Sequence, residues 1–272
     1  MNNIFSFNRF RLLVKRQWLD FGKIYLISLV VLASVICGFY LFCIPKVSQG
    51  LPPVNPDGYL DLKFRYPLFV IVGFLFITII SSSYFSSFGQ KSRAIIELMV
   101  PASIFEKFLT GIFYTAILSI FSYVLIFGII DFAFGKYIVM SFADHKFELS
   151  SASTKVSDQY YNFTLTRVAS TINYKEFWPL TFMPFFATSL FLLGSIYFNR
   201  FHYIKTAISV LVFFWAGGYI LYQVMSKINA QFKYQGPIIG QKGIFIIVFS
   251  TSILVTFWIW FIAYVRLKEK EV

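Results

Sequence analysis

Residues 24–44 read IYLISLVVLASVICGFYLFCI, with no Asp, Glu, Lys, Arg or His among them. The hydrocarbon core of a bilayer is about 30 Å thick, and about 20 apolar residues of helix cross it. This stretch therefore predicts a membrane span. Five further windows have the same character: Tyr66–Phe88, Phe108–Ile130, Phe177–Phe198, Thr206–Met225 and Gly243–Val265. The first window is expected to stay in the chain. It is too long, too far from Met1 and too poor in small cleavage-site residues to read as a signal peptide.

Composition points the same way. Of 272 residues, 58% are hydrophobic, 21% aromatic and 13% charged, whereas a soluble domain carries about 25% charged residues. So few charges could not cover a globular surface, and a disordered chain would hold far fewer aromatics. The expected fold class is an all-α polytopic membrane protein, with 1–272 forming a single transmembrane domain of six helices. The net charge of +12 does not imply a nucleic-acid partner, because the basic residues gather at the ends of the apolar runs, as cytoplasmic edges require. If the N-terminus is inside, the inner segments hold 13 of the 24 lysines and arginines, although the outer segments are longer. Both termini are thus expected in the cytoplasm, and the long loop Asp131–Glu176 outside. Cys37 and Cys43 share one apolar run, point in different directions on a helix and offer neither a disulfide nor zinc spacing.

Three regions outside the spans have character of their own. At 100° per residue, Phe7, Phe10, Leu13, Val14, Trp18 and Phe21 share one side of a helix, with Arg9, Lys15, Arg16 and Asp20 opposite. Residues 1–23 are therefore expected to form an interfacial elbow helix. Its aromatic face would lie in the acyl chains, its basic residues Arg9, Arg11, Lys15 and Arg16 near headgroups, and Gly22 at the bend. The competing reading is a straight extension of the first span. Between spans two and three, Lys91, Arg93 and Glu97 alternate with Ile95, Ile96, Met99 and Val100. Pro101 breaks this short amphipathic helix, since it has no N–H to donate. Ser103 and Glu106 then have capping-box spacing at the start of the next helix. Residues 89–107 are therefore expected to form an ordered turn with the character of a docking surface. In the outer loop 131–176, the alternation from Asn162 to Val168 predicts a strand and a small β-hairpin, while Pro52, Pro53, Pro56 and Gly58 keep the loop Lys46–Arg65 irregular.

Catalytic and phosphate-binding motifs are missing. Gly89-Gln90-Lys91-Ser92 lacks the upstream glycine of a phosphate loop, and neither a zinc-protease helix nor a nucleophile elbow occurs. His145 and His202, the two histidines, lie outside the windows and are expected to be solvated. No ionisable group sits at depth to drive proton or sodium coupling. The hydroxyl run Thr78, Ser81, Ser82 in span two suits close helix packing and is also the candidate substrate path. The chain is thus not expected to be an enzyme or to hold a cofactor or metal of its own. A transporter built this way would borrow its energy from a separate ATPase.

Six spans, the amphipathic start and the structured turn resemble the permease subunits of type-2 ATP-binding-cassette (ABC) transporters. The segment Ile96-Glu97-Leu98-Met99-Val100-Pro101-Ala102-Ser103-Ile104-Phe105-Glu106-Lys107-Phe108-Leu109 is similar to a Leu-Pro-Ala-Ser-x-x-Glu-Lys stretch of Bacteroidetes-type permease-like proteins, with Val100 in place of the commoner leucine. The resemblance implies an elbow at the N-terminus, with Trp18 beside the basic residues. It also implies a coupling helix over Ser92–Val100, with Arg93, Ile96, Glu97, Leu98, Met99, Val100, Pro101, Ser103, Glu106 and Lys107 coupling to the ATPase. It implies an ABC ATP-binding subunit using ATP and Mg, a second permease copy and an exporter's place in a bacterial inner membrane. The family's larger re-entrant structure between spans five and six has only the short Ser226–Lys242 to correspond to it. The competing function is a membrane scaffold or sensor whose outer loop 131–176 binds a partner.

Overall fold

The computed structural model describes residues 5–43, 64–85, 100, 102–143, 147–149, 152–154, 182–198, 201–231 and 241–271. Helix α1 is Phe7–Phe42 and α2 is Arg65–Tyr84. A third rod is built in series from α3, Ile104–Ile112, a π-helical segment, Phe113–Leu118, and α4, Ser119–Ala143. Then come strands β1, Phe147–Leu149, and β2, Ala152–Thr154, followed by α5, Met183–Tyr197, α6, His202–Gln231, and α7, Gln241–Glu271. Five of the described helical stretches are long and apolar enough to cross a membrane, and α5 is a shorter apolar helix.

Apolar windows become helices because a bilayer leaves no other partner for the backbone N–H and C=O groups. The helices overrun those windows. α1 passes through Gly22 without a break, so the expected elbow does not form as a separate element. Two physical reasons are visible. A Cβ on Gly22 would sit 3.0 Å from the indole of Trp18, so the glycine makes room for a side chain instead of a bend. The face expected in acyl chains is also used by the protein: Leu13, Phe21 and Tyr25 are buried, and Trp18 stacks on Tyr114 at 6.4 Å between ring centroids. Lipid and protein interior are equally apolar, and here protein takes the part of the face around Leu13 and Phe21, while Phe7 stays exposed.

The expected outer loop 131–176 likewise begins as helix, because Phe132, Phe134, Tyr137 and Ile138 prolong the apolar pattern of α4 to Ala143. A hairpin does occur in that region, but it is formed by β1 and β2, which pair Phe147 with Thr154 and Leu149 with Ala152. The alternating stretch Asn162–Val168 lies outside the described residues. So do the irregular loop 46–63, the turn residues 86–99 with the whole expected coupling helix apart from Val100, and the glycine–proline stretch 236–240.

α1 and the α3–α4 rod run parallel, with α2 antiparallel to both, and an aromatic core binds the three. Phe21, Tyr25, Tyr40, Phe76, Tyr84, Phe85, Phe108, Tyr114, Tyr123 and Phe127 are its buried rings. Tyrosine hydroxyls in this core find main-chain acceptors on neighbouring helices. Tyr114 donates to the Val14 carbonyl at 2.8 Å and Tyr123 to the Phe69 carbonyl at 2.5 Å.

α5 packs against α2, α6 and α7. With 15 residues it is about 22 Å long, short of a bilayer core. Only 182–198 of the fourth window are described. Gly194 sets its contact with α6, since a Cβ there would lie 1.9 Å from the Thr206 hydroxyl and 2.6 Å from its methyl group. Thr206 is buried and β-branched, so it cannot swing away. We expect Gly194→Ala to cost about 1–3 kcal/mol through overpacking. Thr206→Ala in the same chain, which deletes both of those atoms, should restore part of the loss. Thermal unfolding of the detergent-solubilised protein measures both, and an unchanged midpoint for Gly194→Ala would show that the helices separate freely.

Candidate functional site

The residue that organises one end of the helix bundle is Glu106. Ser103 has extended backbone just ahead of α3, and its hydroxyl accepts from the Glu106 N–H at 3.2 Å. The Glu106 carboxylate returns the bond, accepting from the Ser103 N–H at 2.9 Å. This reciprocal box answers two of the N–H groups that a helix start leaves unpaired, as the Ser-x-x-Glu spacing predicts.

The carboxylate does more than cap its own helix. Its other oxygen accepts from the backbone N–H of Ser6 at 2.9 Å and lies 3.3 Å from the Arg9 guanidinium. Glu106 is 0% exposed, so one buried anion fastens the first turn of α1 to the first turn of α3. Around it, Phe5 meets Phe105 edge-on at 6.1 Å, Leu13 packs with Val100 and Ala102, and Tyr264 of α7 faces Phe105 and Phe108. A buried carboxylate is tolerated because charge-assisted hydrogen bonds and a cation replace its water.

This geometry divides the residues expected to couple to an ATPase. Val100, Glu106 and Lys107 are buried inside the chain and Ser103 is half-buried. Glu106 and Ser103 form the junction itself, and Val100 packs beside it on Leu13. Arg93, Ile96, Glu97, Leu98, Met99 and Pro101 lie outside the described residues. Of the elbow set, Arg9 is engaged with Glu106, whereas Arg11, Lys15 and Trp18 are exposed and Arg16 lies 3.9 Å from Asp20.

The hydroxyl run of α2 is used for packing. Thr78, Ser81 and Ser82 are all buried. Thr78 donates to the Phe74 carbonyl at 2.8 Å and Ser81 to that of Ile77 at 2.7 Å. The Ser82 hydroxyl lies 2.7 Å from Nδ1 of His202, which ties α2 to the start of α6. His202 is therefore a bridging residue and not simply solvated. Ser81 also reaches the Thr115 carbonyl at 3.5 Å, inside the π-helical segment. That segment displaces main-chain acceptors from α-helical partners, and hydroxyls meet them: the Leu118 carbonyl accepts from Ser122 of the same rod at 2.7 Å and from Tyr25 of α1 at 3.2 Å.

A second buried charge cluster closes the opposite end. The Arg65 guanidinium lies 3.3 Å from Asp131, and the Tyr40 hydroxyl donates to the same carboxylate oxygen at 2.5 Å. Arg65 is 4% and Asp131 0% exposed. Glu106 and Asp131 are 25 positions apart on one rod, or about 37 Å at helical rise, so the two clusters bracket a bilayer core of about 30 Å. Neither Arg65 nor Asp131 falls within a span window, yet each adjoins one. Successive antiparallel spans put the start of one beside the end of the next, and that signal was present.

No family model, characterised protein or solved structure matches this chain.

Proposed function

We propose that this chain is the membrane-spanning permease subunit of an ATP-driven ABC transporter, an exporter of a bacterial inner membrane with both termini in the cytoplasm. ATP and Mg act in a separate subunit that docks on the turn 89–107, and a second permease copy completes the assembly. The observation that carries this reading is the Glu106 junction. The turn leads directly into a start of α3 that is bonded to the start of α1 through Ser6 and Arg9. A displacement of the turn would therefore move two parallel, membrane-length rods together. Docking falls to Arg93–Met99, while Val100, Ser103, Glu106 and Lys107 position the turn. The part of α1 expected as an elbow serves here as the inner end of one rod.

The experiment is purification of the tagged chain in mild detergent, followed by identification of co-purifying proteins and an ATPase assay. We expect a stoichiometric ATP-binding subunit, lost on combined Glu97→Ala and Met99→Ala substitution while the permease still inserts. A stable preparation without an ATPase, holding an extracytoplasmic protein through 131–176, would overturn the transporter reading in favour of the scaffold or sensor.

A further inference from the structure

We propose that the outward face of α1 between Leu12 and Lys23 binds the headgroups of anionic phospholipids. Leu12, Arg16, Leu19 and Lys23 recur at spacings of four, three and four, which puts them on one stripe of a helix. Leu12 is 67% and Leu19 74% exposed, and Lys15 and Lys23 are exposed beside them. The stripe cannot turn inward, because the opposite face of the same turns is buried against the protein through Leu13, Phe21 and Tyr25.

The stripe continues without a break into Leu26, Ile27 and Val30, which are exposed in the part of α1 read as a membrane span. Moving toward Phe7, the same face passes from wholly apolar to alternating leucine and cation. That sequence suits a helix leaving the acyl region. Leucine side chains stay at the acyl boundary while Lys and Arg extend their apolar stems along it and raise their charges to the headgroups. Asp20 is the acidic group on these turns, 3.9 Å from Arg16, so cations outnumber anions there. Basic clusters at the end of a span attract anionic lipid surfaces. Continuity with the lipid-facing turns favours a lipid over a soluble acidic protein. This face differs from the one that the periodicity assigned to acyl chains, and the proposal does not depend on which partner drives the molecule.

The test is native mass spectrometry of the full chain released from nanodiscs of equimolar phosphatidylglycerol and phosphatidylethanolamine. We expect phosphatidylglycerol to be enriched among the retained lipids by roughly tenfold or more. Lys15→Gln, Arg16→Gln and Lys23→Gln together should abolish the enrichment without changing the thermal midpoint. Lys15→Arg, Arg16→Lys and Lys23→Arg should keep it, which separates charge from folding. No enrichment in the parent chain, or enrichment surviving the neutral variant, would overturn the proposal. So would capture of soluble polyglutamate by this face without any preference for phosphatidylglycerol, which would mark it as a protein-binding surface.

Discussion

Replacing Glu106 by Ala should lower the stability of the folded chain by about 3 kcal/mol, read as a depressed thermal midpoint in detergent. The substitution removes the acceptor for two backbone N–H groups, those of Ser6 and Ser103, at 2.9 Å each. A buried donor left unpaired costs about 1–3 kcal/mol, and these two, at half-buried residues, fall toward the lower end of that range. Glu106→Gln should recover less than half of the loss, because one carboxylate oxygen becomes an NH2 group that faces a donor. Ser103→Ala removes only the cap oxygen, about 1 kcal/mol. The Arg9 side chain is 36% exposed, so solvent screens its pairing and Arg9→Gln should cost at most about 1 kcal/mol. The ranking Glu106, Ser103, Arg9 tests whether the junction is held by hydrogen bonds or by charge. If Arg9→Gln proved as damaging as Glu106→Ala, the ion pair would dominate and the hydrogen-bond account would fail.

How far the sequence carried depended on whether the physics was local. Ser103 and Glu106 are three residues apart, so their box was legible. The bond from Ser6 spans 100 positions, and no pattern within a helix reports it. Span windows were legible because the bilayer demands uncharged residues in runs of fixed length. Their ends were not, because a helix continues wherever a neighbour supplies packing, as Phe134 against Tyr40 and the buried Ile138 show in α4. Periodicity correctly placed Leu13, Val14 and Phe21 opposite Lys15 and Arg16. It could not say whether the apolar side meets lipid or protein, since both are apolar. The π-helical segment left no mark, because its displaced carbonyls are answered by hydroxyls from elsewhere in the fold, Ser81 and Tyr25 among them.

Treating charge as the mark of a loop also concealed Arg65 and Asp131, and these carry the second large effect. Asp131→Asn should destabilise the protein by about 3–5 kcal/mol, because it removes one charge of a buried pair and leaves the other in place. Tyr40→Phe, which deletes a hydrogen bond to the same carboxylate, should cost about 1.5–3 kcal/mol. Replacing both charges, Arg65→Met with Asp131→Leu, should return stability close to that of the parent, since apolar packing of similar volume often matches or exceeds a buried ion pair. A double-mutant cycle on thermal unfolding isolates the coupling. A silent Asp131→Asn would mean that water reaches Asp131 and that the cluster is not desolvated. A damaged single variant with a stable double variant would show that the pair is not required for folding. The contribution of Arg65 and Asp131 would then lie in holding the neighbouring ends of α1, α2 and α4 in one arrangement, as Glu106 holds the opposite ends of α1 and α3. Held at both ends in this way, the three rods would respond to a displacement of the Glu106 end by tilting as one unit.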